Sequence, residues 1–450
     1  MRGGSLSLSN AGSTLYSILR HPHVGREQVI AFQNDRVRRL VAHAYRHVPY
    51  YQGIFDRHGV KPKDIQTVED LQIIPITSRT QLQALPAEQI VARGVNPQDL
   101  IWRDTSGSSG RSLRVRRTWL EERLHGVFRL RALRSLGLSV RDKHCYLMGK
   151  WNDQRPDHQI IQRMLATFGI ARQVIVDFLL PPEEIVRRVK AIRPAAVTGY
   201  PVVLARIAQV VSKNVLRELR LRFVGTGGDV LTPLMRQQIE EGFGARVYDM
   251  YGSHEFNLLA WECRTTGDFH TCDDGLVLEV LHKNRCVNEG ESGEVVGTDL
   301  HSFAMPLIRY RLGDVVTKGP SVCRCGAPFS TIRTIRGRMI DYFHLPDGRV
   351  VHPFELWGAR REKTNWIRQF QVTQERSDRI VLQVIPWYAP SAREMAALQE
   401  PAIAFLGPLV RFEVKLVPDI HLEPNGKFRV FRSCMNSPYD QVVANQSQTR

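Results

Sequence analysis

Apolar residues recur at helical spacing over residues 24–60, where Val29, Ile30, Phe32, Val37, Leu40, Val41, Ala44 and Tyr45 share one stripe and Pro49, in VPYYQGIF, follows the helix. From residue 100 to about 335 two periodicities alternate. Helical patterns cover 118–137, 155–168, 181–193 and 201–213, and short apolar runs typical of buried strands fall at 173–176, 195–198, 222–225 and 246–250. Alternation of this kind predicts an α/β fold of layered helices and sheet. Residues 276–316 are richer in strand patterns (LVLEVL, GEVVGTDL, GDVVTKG) and predict a mixed or antiparallel subdomain. The composition changes near 336–341. QFQVTQ, RIVLQVIP, a helical stretch around 391–405, RFEVKLVP and KFRVFRS then follow, the last after an Asn425-Gly426 turn. That order predicts a small α+β C-terminal domain of about a hundred residues.

Length and charge refine this picture. At 450 residues, 43% apolar and 24% charged, the chain has globular composition and is too long for one core, so two or three domains are expected. No apolar run approaches the ~20 residues of a membrane span, and the first 22 residues lack the apolar core of a secretory signal. The expectation is a soluble, cytoplasmic protein. Lys plus Arg number 62 against 45 Asp plus Glu, for a net charge of +17; only eleven are lysines. The basic residues sit in amphipathic pieces such as RVRRLVAHAYRH, not in tails, which favours a solvated arginine-rich surface over a specific nucleic-acid site. Seven cysteines, an odd number, do not suggest a disulfide framework. Cys263, His270, Cys323 and Cys325 form a four-ligand set suited to closed tetrahedral zinc, with Cys272 as a spare; the alternative is reduced cysteines on a turn beside unrelated residues.

Five motifs carry candidate chemistry. Thr105-Ser106-Gly107-Ser108-Ser109-Gly110-Arg111 combines flexible backbone with hydroxyl and guanidinium donors, as a phosphate-cradling loop requires, but no GK[ST] makes it a Walker loop. Tyr248-Asp249-Met250-Tyr251-Gly252-Ser253-His254-Glu255 clusters aromatic and acidic groups after a strand and could stack a base and hold a cation. The others are Pro306-Leu307-Ile308-Arg309-Tyr310-Arg311-Leu312-Gly313-Asp314, Arg336-Gly337-Arg338-Met339-Ile340-Asp341, and Asn425-Gly426-Lys427-Phe428-Arg429.

In this order and spacing the five resemble the motifs of the adenylate-forming superfamily. With VPYYQGIFDRHGV, VEDLQIIPITSRTQL and CRCG, they more narrowly resemble phenylacetate–CoA ligase and its coenzyme F390 synthetase and capsule-biosynthesis relatives. The resemblance spans about residues 27–433. It implies an N-terminal ATP- and acid-binding domain over 1–336, a hinge at 337–341 and a mobile C-terminal lid domain over 342–450. It also implies site roles. Ser106, Gly107, Ser108, Ser109, Gly110 and Arg111 would close over the ATP phosphates, and Gly227 and Gly228 would form a wall of the adenine site. Tyr251 of the Tyr251-Gly252 pair would stack on adenine, and Asp249 would face its amino group. Asp314 would bind the ribose, Glu255 magnesium, Arg338 ribose or phosphate, and Lys427 the α-phosphate. His254 stands where Thr or Ser usually touches the adenylate phosphate.

The implied activity is ATP-dependent adenylation of an aryl or bulky carboxylic acid, then thioester formation with CoA. Magnesium and structural zinc are the implied metals, and a homodimer is compatible with the family. The competing readings are an adenylating enzyme that uses an amine or another acceptor, and a catalytically degenerate nucleotide-binding homologue.

Overall fold

The computed structural model describes residues 8–104, 113–148, 172–229, 231, 233–336, 343–351, 356, 366–420 and 431–435. The helix expected at 155–168, the hinge 337–341 and the Asn425-Gly426 turn lie outside them. The chain divides into two compact units. One gathers residues 8–104, 113–138 and 248–336; the other gathers the described residues of 139–247 and 343–435.

The first unit begins with helices. Arg26–His47 and Pro49–His58 are two helices where the apolar stripe suggested one. Pro49 explains the break: it pushes Val48 into extended backbone (φ −111°, ψ 109°) and then opens the second helix, where its missing N–H is not needed. A helix at Leu8–Arg20 was not foreseen. Its Ser, Asn and Gly content is poor in helix propensity, and it is anchored by tertiary contact: Ile18 is fully buried, and His21 Nδ1, just beyond it, lies 2.7 Å from Asp274 Oδ2.

The strand-rich region is antiparallel throughout. In spatial order its strands are Arg285–Cys286, Leu276–His282, Ser292–Asp299, Tyr310–Lys318, Thr331–Arg336, Phe269–Thr271, Asn257–Glu262 and Arg246–Ser253. Tyr310, Leu312, Asp314 and Val316 form the buried, alternating face of the fourth strand. A carboxylate therefore stands in an otherwise core-facing row. Helix Trp119–Ser135 packs alongside and starts with a capping box, in which Thr118 Oγ1 accepts from Glu121 N–H and Glu121 accepts from Thr118 N–H at 2.7 Å.

The basic composition also has an interior component. Arg36, Arg117, Arg131 and Arg309 are all buried. Arg131 reaches Asp274 Oδ1 at 2.8 Å and lies over the rings of Phe128, Trp261 and Phe329. Burial opposes the Asp274 charge, but Arg131 and His21 hold this carboxyl well below its usual range.

The second unit carries a parallel sheet in the order Arg172–Val176, Lys143–Leu147, Ala196–Gly199, Phe223–Gly227. Ala196–Gly199 is buried along its length, as expected for a parallel strand covered on both faces. Helices Pro182–Ile192 and Pro201–Val210 each begin with proline in the first turn. The C-terminal part is a four-stranded sheet ordered Arg411–Leu416, Arg379–Pro386, Ile367–Arg376, Phe431–Ser433, with helix Ala392–Leu406. Trp366, Phe343, Val372, Leu382 and Leu398 fill its core. This is the α+β composition read from the sequence. Among the described residues, no helix is long and apolar enough to cross a membrane.

Candidate functional site

Two antiparallel hairpins bring the motif residues of the first unit together. In one, Ile101–Asp104 pairs with Arg114–Arg117 in a register that sets Asp104 opposite Arg114. The Ser/Gly motif, with Ser106, Gly107, Ser108, Ser109, Gly110 and Arg111, connects these strands and lies outside the described residues. In the other, Arg246–Ser253 pairs with Asn257–Glu262 through a bulge between Tyr251 and Gly252. Arg117 joins the hairpins: its guanidinium donates to the backbone carbonyls of His254 (3.3 Å) and Glu255.

Gly252 is required by space. A Cβ there would clash with the Asn257 carbonyl oxygen across the tight hairpin. Gly252→Ala is therefore expected to cost about 1–3 kcal/mol, as overpacking does, and to lower the melting midpoint by a few degrees, read by circular dichroism.

Tyr251 and Asp314 lie together. The phenol donates to Asp314 Oδ2 at 2.7 Å, and both residues are nearly buried. An aromatic ring is thus fixed beside a carboxylate able to accept from a diol. Asp249 is half-buried, its Oδ1 accepting from Met250 N–H at 3.1 Å while its own N–H donates to Glu262. His254 is exposed.

Glu255, with 3% exposure, makes a compact cluster. Its Oε1 accepts from Arg79 Nη2 at 2.9 Å and from the Tyr310 hydroxyl at 3.2 Å, while Arg79 Nε lies 3.3 Å from the same hydroxyl. Burial pushes the Tyr310 phenol well above its usual range, so it remains a neutral donor at any physiological pH. Arg79 opens a short helix, Arg79–Gln83, whose Ser78–Gln81 capping box fixes its start. Thr77 ties that helix to the strand: its N–H donates to Arg309 O at 2.8 Å, and its carbonyl accepts from Arg311 N–H at 2.9 Å.

Sequence reasoning missed Arg79, Arg117 and the part played by Tyr310. Tyr310 sat inside a recognised motif, and Arg79 inside the ITSRTQL segment. Only folding shows that both reach one carboxylate. Arg309, from the same motif, is structural: it is bidentate to Glu279 at 3.0 and 2.8 Å and donates to Ile74 O.

In the second unit Gly227 ends the strand Phe223–Gly227, and Gly228 adopts φ +83° with its backbone against the Tyr200 ring. Arg338 and Lys427 lie outside the described residues.

The expected four-ligand set is assembled. Cys263 Sγ, His270 Nε2, Cys323 Sγ and Cys325 Sγ all lie within 4.8 Å of one another. Cys263 Sγ is 3.9 Å from Cys323 Sγ, and Cys325 Sγ is 3.2 Å from His270 Nε2. These spacings approach the ~3.8 Å edge of a tetrahedron with 2.3 Å zinc–sulfur bonds. Cys263 sits in the turn before Phe269–Thr271, and the Cys323-Arg324-Cys325-Gly326 turn is closed by Gly326 N–H donating to Cys323 O at 3.0 Å. Burial lowers His270 to about 4, so the imidazole is neutral and its nitrogen lone pair is available. Cys272, the spare, points elsewhere, toward Arg131 and Asp274.

No protein-family model matches the chain. It is 27% identical over 333 residues to phenylacetate-coenzyme A ligase of Thermus thermophilus, covering 70% of this chain and 72% of that protein. The Escherichia coli phenylacetate-coenzyme A ligase is 27% identical over 316 residues, covering 66% and 69%. Protein CapK of Staphylococcus aureus is 20% identical over 419 residues, covering 88% and 87%. Among solved structures, 2-hydroxyisobutyryl-CoA ligase in complex with 2-HIB-AMP and CoA, in its thioesterification state, shares the fold with a TM-score of 0.65 at 20% identity, over 96% of this chain and 94% of that one. The chain thus resembles phenylacetate-coenzyme A ligases over about two thirds of its length and shares, almost end to end, the fold of a CoA ligase solved with an acyl-adenylate.

Proposed function

We propose that this protein activates a carboxylic acid with ATP, forming acyl-AMP and pyrophosphate, and passes the acyl group to the thiol of CoA. The observation that carries this reading is the nucleotide half-site: the Tyr251 ring hydrogen-bonded to Asp314, with Glu255 four residues along the same hairpin. Tyr251 would stack the adenine, with Asp249 facing its amino group and Gly227 and Gly228 lining the base. Asp314 would accept from the ribose hydroxyls. Ser106, Gly107, Ser108, Ser109, Gly110 and Arg111 would donate to the phosphates, His254 to the adenylate phosphate, and Arg338 to ribose or phosphate.

The reaction brings a carboxylate onto a polyanion, so the barrier is largely electrostatic, and positioned cations with fixed geometry lower it without a protein nucleophile. Glu255 fits a magnesium role: it is a buried carboxylate, and Oε2 is the oxygen that Arg79 and Tyr310 do not use. When bound, magnesium would neutralise phosphate charge there. Cys263, His270, Cys323 and Cys325 fit one structural zinc and stand apart from this chemistry. The small C-terminal domain, 342–450, would turn about 337–341 between the half-reactions and carry Lys427 into the first. An aryl or bulky acyl group is the expected substrate.

Incubating the protein with ATP, magnesium, CoA and a panel of aryl and branched acids should yield AMP and the matching acyl-CoA in equal amounts by mass spectrometry. AMP without thioester, and capture of the acyl group by an added amine instead, would favour a different acceptor. Asp314→Ala should weaken ATP binding roughly 10- to 100-fold, the loss of a charged hydrogen bond to the ribose, with the far-ultraviolet circular dichroism spectrum unchanged. Unaltered affinity in a calorimetric titration would remove Asp314 from the site.

A further inference from the structure

The Glu255 cluster holds a positive charge that none of the motif residues supplies. Arg79 is not among the motif residues, yet its guanidinium forms an ion pair with Glu255 Oε1, and its own side chain is only 13% exposed. The capping box at Ser78 and the two Thr77 backbone bonds to the Arg309-Tyr310-Arg311 strand hold this arginine from behind. Tyr310 closes the triangle by contacting both partners. A buried carboxylate left alone is costly, and a guanidinium and a divalent cation satisfy it in the same way, by placing positive charge against the same carboxylate. A metal on Oε2 would still stand beside the guanidinium on Oε1, so the two cations compete for one negative charge.

We propose that Arg79 is a resident counter-ion that occupies Glu255 in the nucleotide-free enzyme and yields to the metal that arrives with ATP. This rests on Glu255 being the magnesium ligand. Arg79 is then a positioning residue. It keeps the Glu255 side chain aimed into the site, and it suppresses metal binding without nucleotide, so that metal and nucleotide enter together. The arriving phosphates supply what the lone metal lacks, an anion that can receive the displaced guanidinium.

The test is manganese binding to the nucleotide-free protein, read from the electron paramagnetic resonance signal of free Mn2+. R79Q should bind Mn2+ at least tenfold more tightly than the wild type, and R79Q/E255Q should lose the gain, which assigns it to this carboxylate. R79M, which removes every polar group while keeping similar bulk, is the second variant and should show the same gain, so misfolding of one variant does not decide the matter. Melting curves on each protein establish folding. R79Q and R79M with wild-type Mn2+ affinity, in protein whose E255Q variant loses metal-dependent ATP binding, would overturn the counter-ion role while leaving Glu255 as the metal ligand. An E255Q variant that keeps metal-dependent ATP binding would overturn the underlying assignment, and the proposal with it.

Discussion

Stripping the metal from the proposed Cys263–His270–Cys323–Cys325 zinc site is expected to unfold the strand-rich region. The four ligand atoms are gathered within 4.8 Å from two separate turns and one strand. Burial and the neighbouring Cys323 and Cys263 push the Cys325 thiol up to about 12, so without a cation it stays protonated. A dication reverses the effect, because thiolates become the favoured form when they are ligands. Structural zinc contributes about 10–16 kcal/mol in small domains, comparable to the whole stability of an ordinary domain, about 5–15 kcal/mol. The cluster also sits next to load paths of the fold. Asp273, three residues past His270, accepts from Ser330 N–H at 2.8 Å and pairs with Arg26, so the segment after the cysteine turn, the strand end and the helix Arg26–His47 share one anchor. Purified protein should carry about one zinc per chain by plasma mass spectrometry. Chelation, or Cys323→Ser, should lower the melting midpoint by more than about 10 °C, given a few degrees per kcal/mol for units of this size. Protein with reduced thiols, no zinc and an unchanged melting curve would show that the cysteines are not a metal site.

Lys427→Ala is expected to slow acyl-adenylate formation by about two to four orders of magnitude, the cost of losing one transition-state charge contact. The lysine follows an Asn425-Gly426 pair beyond the proposed hinge at 337–341. A lysine so placed can enter the site in one domain orientation and leave it in the other. As a compact point charge it would stabilise the α-phosphate only while the acid attacks. Thioester formation from supplied acyl-AMP should therefore survive largely intact. Single-turnover measurements of the two half-reactions separate these outcomes. Equal loss in both would point to misfolding or another role, and normal adenylation would remove the lysine from catalysis.

The local elements were legible where one periodicity prevailed. The helix at 181–193 appears as Pro182–Ile192, and the strand run at 195–198 as Ala196–Gly199. The candidate metal ligands were legible for a chemical reason: Cys and His suit a closed tetrahedral site, and the fold brings those four sulfur and nitrogen atoms together. The motif around Tyr251 and the distant Asp314 could be matched to a pattern, but their 2.7 Å contact could not be foreseen from 63 residues of separation. Arg79 was hidden for the same reason. Among dozens of arginines, nothing local marks the one that will meet a buried glutamate 176 residues away. The charge total misled in part as well, because Arg36, Arg117, Arg131 and Arg309 belong to the interior and not to a basic surface. The N-terminal helix Leu8–Arg20 escaped because its stability comes from docking, through His21 and Asp274, and not from its own residues.

The most direct test of carboxylate adenylation is acid-dependent exchange of labelled pyrophosphate into ATP, in the absence of CoA. This reaction requires reversible acyl-AMP formation and nothing downstream of it. With a panel of aryl and branched acids, at least one acid should raise exchange well above the acid-free rate, and Asp314→Ala should suppress it. Exchange that stays at background for every acid, from zinc-loaded protein that binds ATP, would contradict the adenylation chemistry itself.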